Sequence, residues 1–147
     1  MNYEQVHKES ESISERNDCA VKAVALATGV PYKEVHSLMA RYGRKHRCGT
    51  KMSTTKAVLK QLGIEFSEDD FEYPVYYRNK KFDIGAGCTT TVRTQHSYST
   101  KTIHKALPKR GRYLVFSRSH MSAFVNGKLE DWAENRRKIV VAVLKIS

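Results

Sequence analysis

The sequence predicts an α+β domain in which N-terminal helices pack on a C-terminal antiparallel β-sheet. Apolar residues recur at helical spacing between residues 19 and 62, with a glycine closing each run. Residues 112–146 instead hold short β-branched and aromatic runs, and Asn126-Gly127 is a strong two-residue hairpin turn. Helices first and strands last is the segregated order of an α+β fold.

The elements follow in chain order. Residues 1–16 read as a polar lead-in carrying Glu4, Glu9, Glu11 and Glu15. Asn17 or Asp18 suits an N-cap for residues 19–28, an alanine-rich run that is apolar nearly all round and so expects burial. Gly29 ends it, and Pro31 suits the first turn of a second helix, on which Tyr32, Val35, Leu38, Met39 and Tyr42 share a face. A basic loop over 44–51 leads to a third helix, capped by Ser53, with Thr55, Leu59 and Leu62 turned inward. In the middle segment, residues 73–77 and 89–92 favour extended structure. A short helix is expected over 100–107, before Pro108. Strands are expected over 112–117, 120–125, 128–132 and 138–146.

At 147 residues the chain fits a single domain, 1–147, and no apolar run approaches the ~18 residues of a membrane-spanning helix. The polar start lacks the apolar stretch of a secretory signal, so an intracellular, cytoplasmic protein is expected. Three widely spaced cysteines, Cys19, Cys48 and Cys88, do not read as a disulfide framework. His46 and Cys48 with Cys88 and His96 offer four zinc ligands on paper, but neither pair has zinc-site spacing, so no metal is expected.

Lys and Arg number 26 against 15 acids, a net charge of +11. Residues 35–64 and 84–129 contain no acid, and Glu65, Glu68, Asp69, Asp70 and Glu72 cluster between them. Basic segments 41–60 and 101–118 therefore suit an acidic protein or a nucleic acid, and equally a solvated face. Tyr73, Tyr76 and Tyr77 could line a groove or stack bases.

Cys19 falls at the first turn of its helix, where unpaired N–H groups and the helix dipole favour a thiolate. On the C-terminal hairpin, a two-residue turn pairs Val125 with Lys128 and puts Ser122 opposite Asp131. Asp131 then neighbours His120 diagonally on one face, while Glu130 lies on the other. A carboxylate accepting one imidazole N–H sets the tautomer and leaves the second nitrogen for proton transfer. Trp132 could shield that pair, cover a groove or anchor the core.

The run Asn17-Asp-Cys-Ala-Val-Lys-Ala23, the His120-x-x-x-Phe-x-Asn-Gly-x-x-x-Asp131 hairpin and the order Cys, His, Asp together resemble the papain-like cysteine peptidase superfamily. Arg16-Asn-Asp-Cys-Ala-Val21 with Ala27-Thr-Gly-Val-Pro31 also resembles small papain-like proteins encoded by bacteriophages, which would place the chain in a host cytoplasm. The resemblance covers about a third of the chain. It implies a papain-like fold, Cys19 as nucleophile, His120 as general base and acid, and Asp131 as its orienter, with no cofactor. The chain departs from that pattern at Ile13, where such enzymes carry an oxyanion glutamine, and at Ala20, where glycine is common. The Cys19 N–H and the Asn17 amide are the substitute oxyanion donors the sequence offers.

Two functions fit these features. One is a thiol hydrolase acting on a peptide, isopeptide or side-chain amide. The other is a catalytically weak or inactive basic module that binds a host protein or nucleic acid.

Overall fold

Four ten-residue helices come first: α1 (Tyr3–Ser12), α2 (Cys19–Thr28), α3 (Tyr32–Arg41) and α4 (Met52–Gln61). Seven strands follow in the computed structural model, which describes residues 1–147. They are β1 (Phe71–Glu72), β2 (Val75–Gly85), β3 (Cys88–Ser97), β4 (Arg112–Ser117), β5 (His120–Val125), β6 (Lys128–Glu130) and β7 (Val140–Lys145). Five form one antiparallel sheet in the order β1-β7-β4-β5-β6, and β2 pairs only with β3. The chain is thus α+β, and no helix is long and apolar enough to cross a membrane.

The sheet is covered on both faces. The helices lie on one, where Val21, Val24, Tyr32, Val35, Met39, Val58 and Leu59 meet Leu114, Phe116, Met121, Ala123 and Leu144. On the other, Ile103 and Leu107 cover Tyr113, Val115, Phe124, Leu129 and Val143. Alternation turns the even positions of β4 and the odd positions of β5 to the helices, and the remaining positions Tyr113, Val115 and Phe124 to the other layer. α2 is the central helix. Ala20, Ala23, Ala25 and Ala27 are all buried with Val21, Val24 and Leu26, and such small side chains let the helix sit close on β5 and β4. It ends at Gly29, whose φ of 76° is left-handed and whose N–H reaches the Ala25 carbonyl at 2.9 Å. The tip between β5 and β6 has Asn126 at φ 47° and Gly127 at φ 88°, the left-handed pair a tight hairpin demands.

Three local expectations are corrected. Residues 1–16 are no loose lead-in. Asn2 and Gln5 form a reciprocal capping box (3.0 and 2.9 Å), and α1 docks through buried Val6 and Ser10 with Tyr3 and Ile13 beside them. The helix expected over 100–107 shrinks to one 3-10 turn, Ile103–Lys105, because the chain on either side is tied elsewhere. Thr100 donates its N–H to Lys138 O at 2.8 Å, and Ile103 and Leu107 plug the second core. The third predicted helix starts at Met52 with Lys51 at its cap, leaving Ser53 inside the helix.

A buried carboxylate locks the helices together. Asp18 is 3% exposed and accepts hydrogen bonds from Ser10 Oγ of α1 and Tyr32 OH of α3, both at 2.7 Å, with Lys22 Nζ at 3.4 Å. Burial alone would raise its pKa, but these donors and the Lys22 charge outweigh it and hold the carboxyl below the usual range. Because the folded pKa is lowered, this contribution is present above the ordinary aspartate range and is lost as pH falls through the folded value. Tyr32→Phe removes one charge-assisted hydrogen bond, and should cost about 1.5–3 kcal/mol in urea unfolding at neutral pH. The difference from the parent should shrink as Asp18 protonates in acid.

Candidate active site

α2 delivers Cys19 to the site, and its apolar circumference dictates the direction. With seven of its ten residues buried, the helix can lie only between the sheet and the other helices. Its first residue then emerges at the end of the sheet where β5 begins. No side chain caps α2, since Asp18 turns its carboxylate inward to Ser10 and Tyr32. The N–H groups of the first turn, Cys19 included, are left to other partners.

His120 opens β5, directly after Ser119, which sits at φ 58°. Its Nε2 lies 2.6 Å from Asp131 Oδ2. That leaves Nδ1 as the nitrogen available to Cys19, whose thiol shares the cleft with the imidazole and feels both His120 and the Met121 backbone N–H. The three side chains expected together from sequence do converge. Both members of the His–Asp pair are nearly sealed, with side chains 6% and 5% exposed.

The route to Asp131 differs in detail from the expected one. β5 and β6 pair Val125 with Lys128, Phe124 with Leu129 and Ala123 with Glu130, and there the ladder stops. Asp131 follows with extended backbone (φ −163°, ψ 158°) and caps the 3-10 turn Trp132–Asn135 by accepting the Ala133 N–H at 2.9 Å. One Asp131 oxygen thus holds both the turn and the imidazole. Glu130 points the other way, where its Oε2 accepts the Tyr3 N–H at 3.1 Å. Trp132 does not anchor the core. Half exposed, it lies over His120 with ring centroids 5.0 Å apart, and Lys138 Nζ sits 5.5 Å from its own centroid. It screens the His–Asp pair from water.

The electrostatics follow from this packing. Burial disfavours the charged imidazole, but the hydrogen bonds to Asp131 and Cys19 and their negative charges prevail, lifting the His120 pKa to about 9. Burial also opposes a Cys19 thiolate. The His120 hydrogen bond, the Met121 N–H and the imidazolium charge overcome it, and the thiol pKa falls below its ordinary value. Both shifts run in the direction of a thiolate–imidazolium pair. Tyr3, at the cleft rim, is pushed up to about 12 by its burial and then by the Asp131 charge.

The site opens into a cleft of about 1260 Å³. α1 forms one wall through Tyr3, Glu4 and His7, and Gly49, Thr50 and Met52 form another. Little in the sequence announces the α1 wall. The signal was a stripe of Tyr3, Val6, Ser10 and Ile13 behind the Asn2/Gln5 cap, obscured by four glutamates. His7, within the segment read as a polar lead-in, stacks on Tyr3 at 5.5 Å and contacts Lys22 Nζ at 3.0 Å. Asn17 lines the cleft beside Cys19 in a left-handed conformation (φ 53°). Its Nδ2 donates to Arg47 O at 3.1 Å, which leaves one amide hydrogen uncommitted.

Beneath Asn17, the Glu15 side chain is fully buried and accepts from Arg44 Nη1 at 2.8 Å, His36 Nε2 at 2.6 Å and the Arg47 N–H at 2.6 Å. This hub moors the basic 44–51 loop to the approach to Cys19. Against burial, its hydrogen bonds from Arg44, His36 and the Arg16 and Arg47 N–H groups hold Glu15 far below the usual carboxylate range. Glu15, His36 and His46 form the one group of three or more metal-type side chains with mutually close ligand atoms. The Arg44 guanidinium on the same carboxylate makes this an ion-paired cluster. The four paper ligands His46, Cys48, Cys88 and His96 do not assemble, since the last two lie out on β3.

No protein-family model, curated protein or solved structure matches the chain.

The paired charges give two expected outcomes. Iodoacetamide at about pH 6 should alkylate Cys19 faster than Cys48 or Cys88, and His120→Ala should slow that reaction by about tenfold or more, read by peptide mass mapping. Because the folded His120 pKa is raised, its stabilisation is full below the ordinary histidine value and disappears as pH rises through about 9. The urea midpoint should therefore fall as pH rises across that value, and His120→Gln should flatten the decline.

Proposed function

We propose that the chain is a papain-like thiol hydrolase acting on a peptide, isopeptide or side-chain amide through Cys19, His120 and Asp131. One observation carries the reading. A single buried imidazole is held by Asp131 Oδ2 at 2.6 Å, and it lines the same open cleft as the Cys19 thiol, whose pKa it lowers. A cysteine buried merely for packing needs neither an ordered imidazole nor access to a cleft of this size.

In the proposed reaction the Cys19 thiolate attacks the substrate carbonyl carbon, and the C=O electrons move onto oxygen. The Cys19 N–H, unclaimed by any cap, is the first donor to the charge that develops there, and the free hydrogen of the Asn17 amide is the second. The His120 imidazolium gives its Nδ1 proton to the leaving amine as the C–N bond breaks, which leaves a thioester on Cys19. Neutral His120 then takes a proton from water, whose oxygen attacks the thioester carbonyl. Collapse releases the carboxylic acid and restores the thiolate and the imidazolium. Asp131 keeps Nε2 protonated throughout and aims Nδ1 at sulfur. Ile13 stands where the superfamily has glutamine, so the oxyanion is stabilised from the helix terminus and Asn17 alone, which suits slow turnover.

The test is a fluorogenic peptide and isopeptide-amide panel, alongside a peptide vinyl sulfone probe. Cys19→Ala should abolish both turnover and labelling, and His120→Ala should reduce turnover by ~10²–10⁴-fold. Asn17→Ala should lower kcat with little change in KM, as expected for a contact made in the transition state. A probe that labels Cys48 or Cys88 instead, regardless of His120, would reject the assignment.

A further inference from the structure

The strands β2 and β3 belong to neither core. From Tyr77 to Gln95 nearly every residue is exposed, and the two strands pair only with each other over 11 and 10 residues. At 3.2–3.4 Å per residue the ribbon is about 30 Å long. Its root is tied down. Tyr76 packs on Tyr98 with ring centroids 4.8 Å apart, Tyr98 borders the second core, and Ser99 bridges to Ile139. Its free length is held by cross-strand pairing, from Val75–Ser97 down to Asp83–Thr89.

An 11-residue arm with no core to cover needs another reason for its composition. It carries Arg78, Lys80, Lys81 and Arg93 against one acid, Asp83, whose carboxylate is committed to the Gly85 N–H in the tip turn at 2.9 Å. The cations are spread over both faces, since Arg78 and Lys80 alternate with Lys81. Three of them lie over ribbon aromatics: Arg93 is 3.9 Å from the Tyr77 centroid, Arg78 5.3 Å from Tyr76, and Lys80 Nζ 5.4 Å from Phe82. These contacts splay the charged heads along the ribbon instead of bundling them at the tip. Asn79, Thr91 and Gln95 supply neutral hydrogen-bonding groups on one face of the ribbon.

We propose that this ribbon is a duplex-DNA binding arm that enters the major groove. A two-stranded antiparallel ribbon matches the ~12 Å width of that groove, with cations on either face reaching the flanking phosphates and amide and hydroxyl side chains facing the base edges. Pairing of the ribbon edges with a second copy would bring its cations against one another. The deep, narrow major groove of A-form RNA does not admit a ribbon.

Fluorescence anisotropy with a labelled mixed-sequence DNA duplex of about 20 bp tests the proposal. With four cations each neutralising one phosphate, the ribbon should contribute about −3.6 to the slope of log affinity against log salt. That equals a loss of about 150-fold between 50 and 200 mM salt. Replacing Arg78, Lys80, Lys81 and Arg93 together by glutamine should remove this share of the slope. Replacing Arg41, Lys45 and Lys60 on the helical side should leave it, and Cys19→Ala should bind as the parent does. Unchanged iodoacetamide reactivity at Cys19 shows that the ribbon variant is folded. As a second reading of the same contact, duplex should protect Cys88 at the ribbon tip from alkylation and leave Cys48 accessible. No binding at low salt, a slope retained in the ribbon variant, equal affinity for an RNA duplex, or equal competition by polyglutamate would each overturn the proposal.

Discussion

The closeness of α2 to β5 is the constraint on which the site depends. A helix with four buried alanines can approach a sheet more nearly than one carrying larger side chains, and this one runs its first residue up to the start of β5. Any wider separation would part the Cys19 sulfur from the His120 imidazole. The thiol would then lose the imidazole that lowers its pKa, while His120 would keep only the upward pull of Asp131. The lowered pKa of Cys19 is thus a direct consequence of helix–sheet packing, and the raised pKa of His120 is so in part.

Two buried carboxylates hold that packing in place, and neither takes part in the proposed chemistry. Asp18 joins α1, α2 and α3 directly behind Cys19, and Glu15 moors the 44–51 loop just in front of it. Each is fully hydrogen-bonded, the condition under which a buried charge specifies an arrangement instead of destabilising it. A share of the basic residues that seemed available for a partner is consumed here. Arg44 is buried on Glu15, and Lys56 pairs with Glu68 over the Phe71 ring. The sequence block 41–60 is therefore a poorer polyanion surface than its composition suggests, while the ribbon keeps its cations in solvent.

Legibility differed between elements for physical reasons. Helix α2 could be read because one property, apolarity all round, has one structural meaning. The 126–127 turn could be read because only a few residue pairs tolerate two successive left-handed conformations. Together they placed Cys19 and His120 on the elements where they stand, while Asp131 stands one residue past the end of β6, outside the strand pairing predicted for it. Helix α1 was hidden because its buried face is narrow and its exposed face is charged, so average polarity masked the period. The ribbon was hidden because strands exposed on both faces lose the alternation of apolar and polar residues that marks a strand. Trp132 was ambiguous because a tryptophan beside a polar pair can face either way, and the choice depends on where the chain goes after the ladder ends.

The sequence by itself determined the α+β order, the buried helix behind Cys19, the hairpin register that favours Asp131 over Glu130, and the excess of positive charge. All are consequences of local periodicity and turn stereochemistry, which act over a few residues. The tertiary structure alone decided that α1 walls the cleft, that Asp18 faces inward instead of capping its helix, that Trp132 covers the imidazole, and that residues 75–97 stand away from the body. Each of those depends on which surfaces, remote along the chain, compete to bury the same group, and no window of sequence contains that competition.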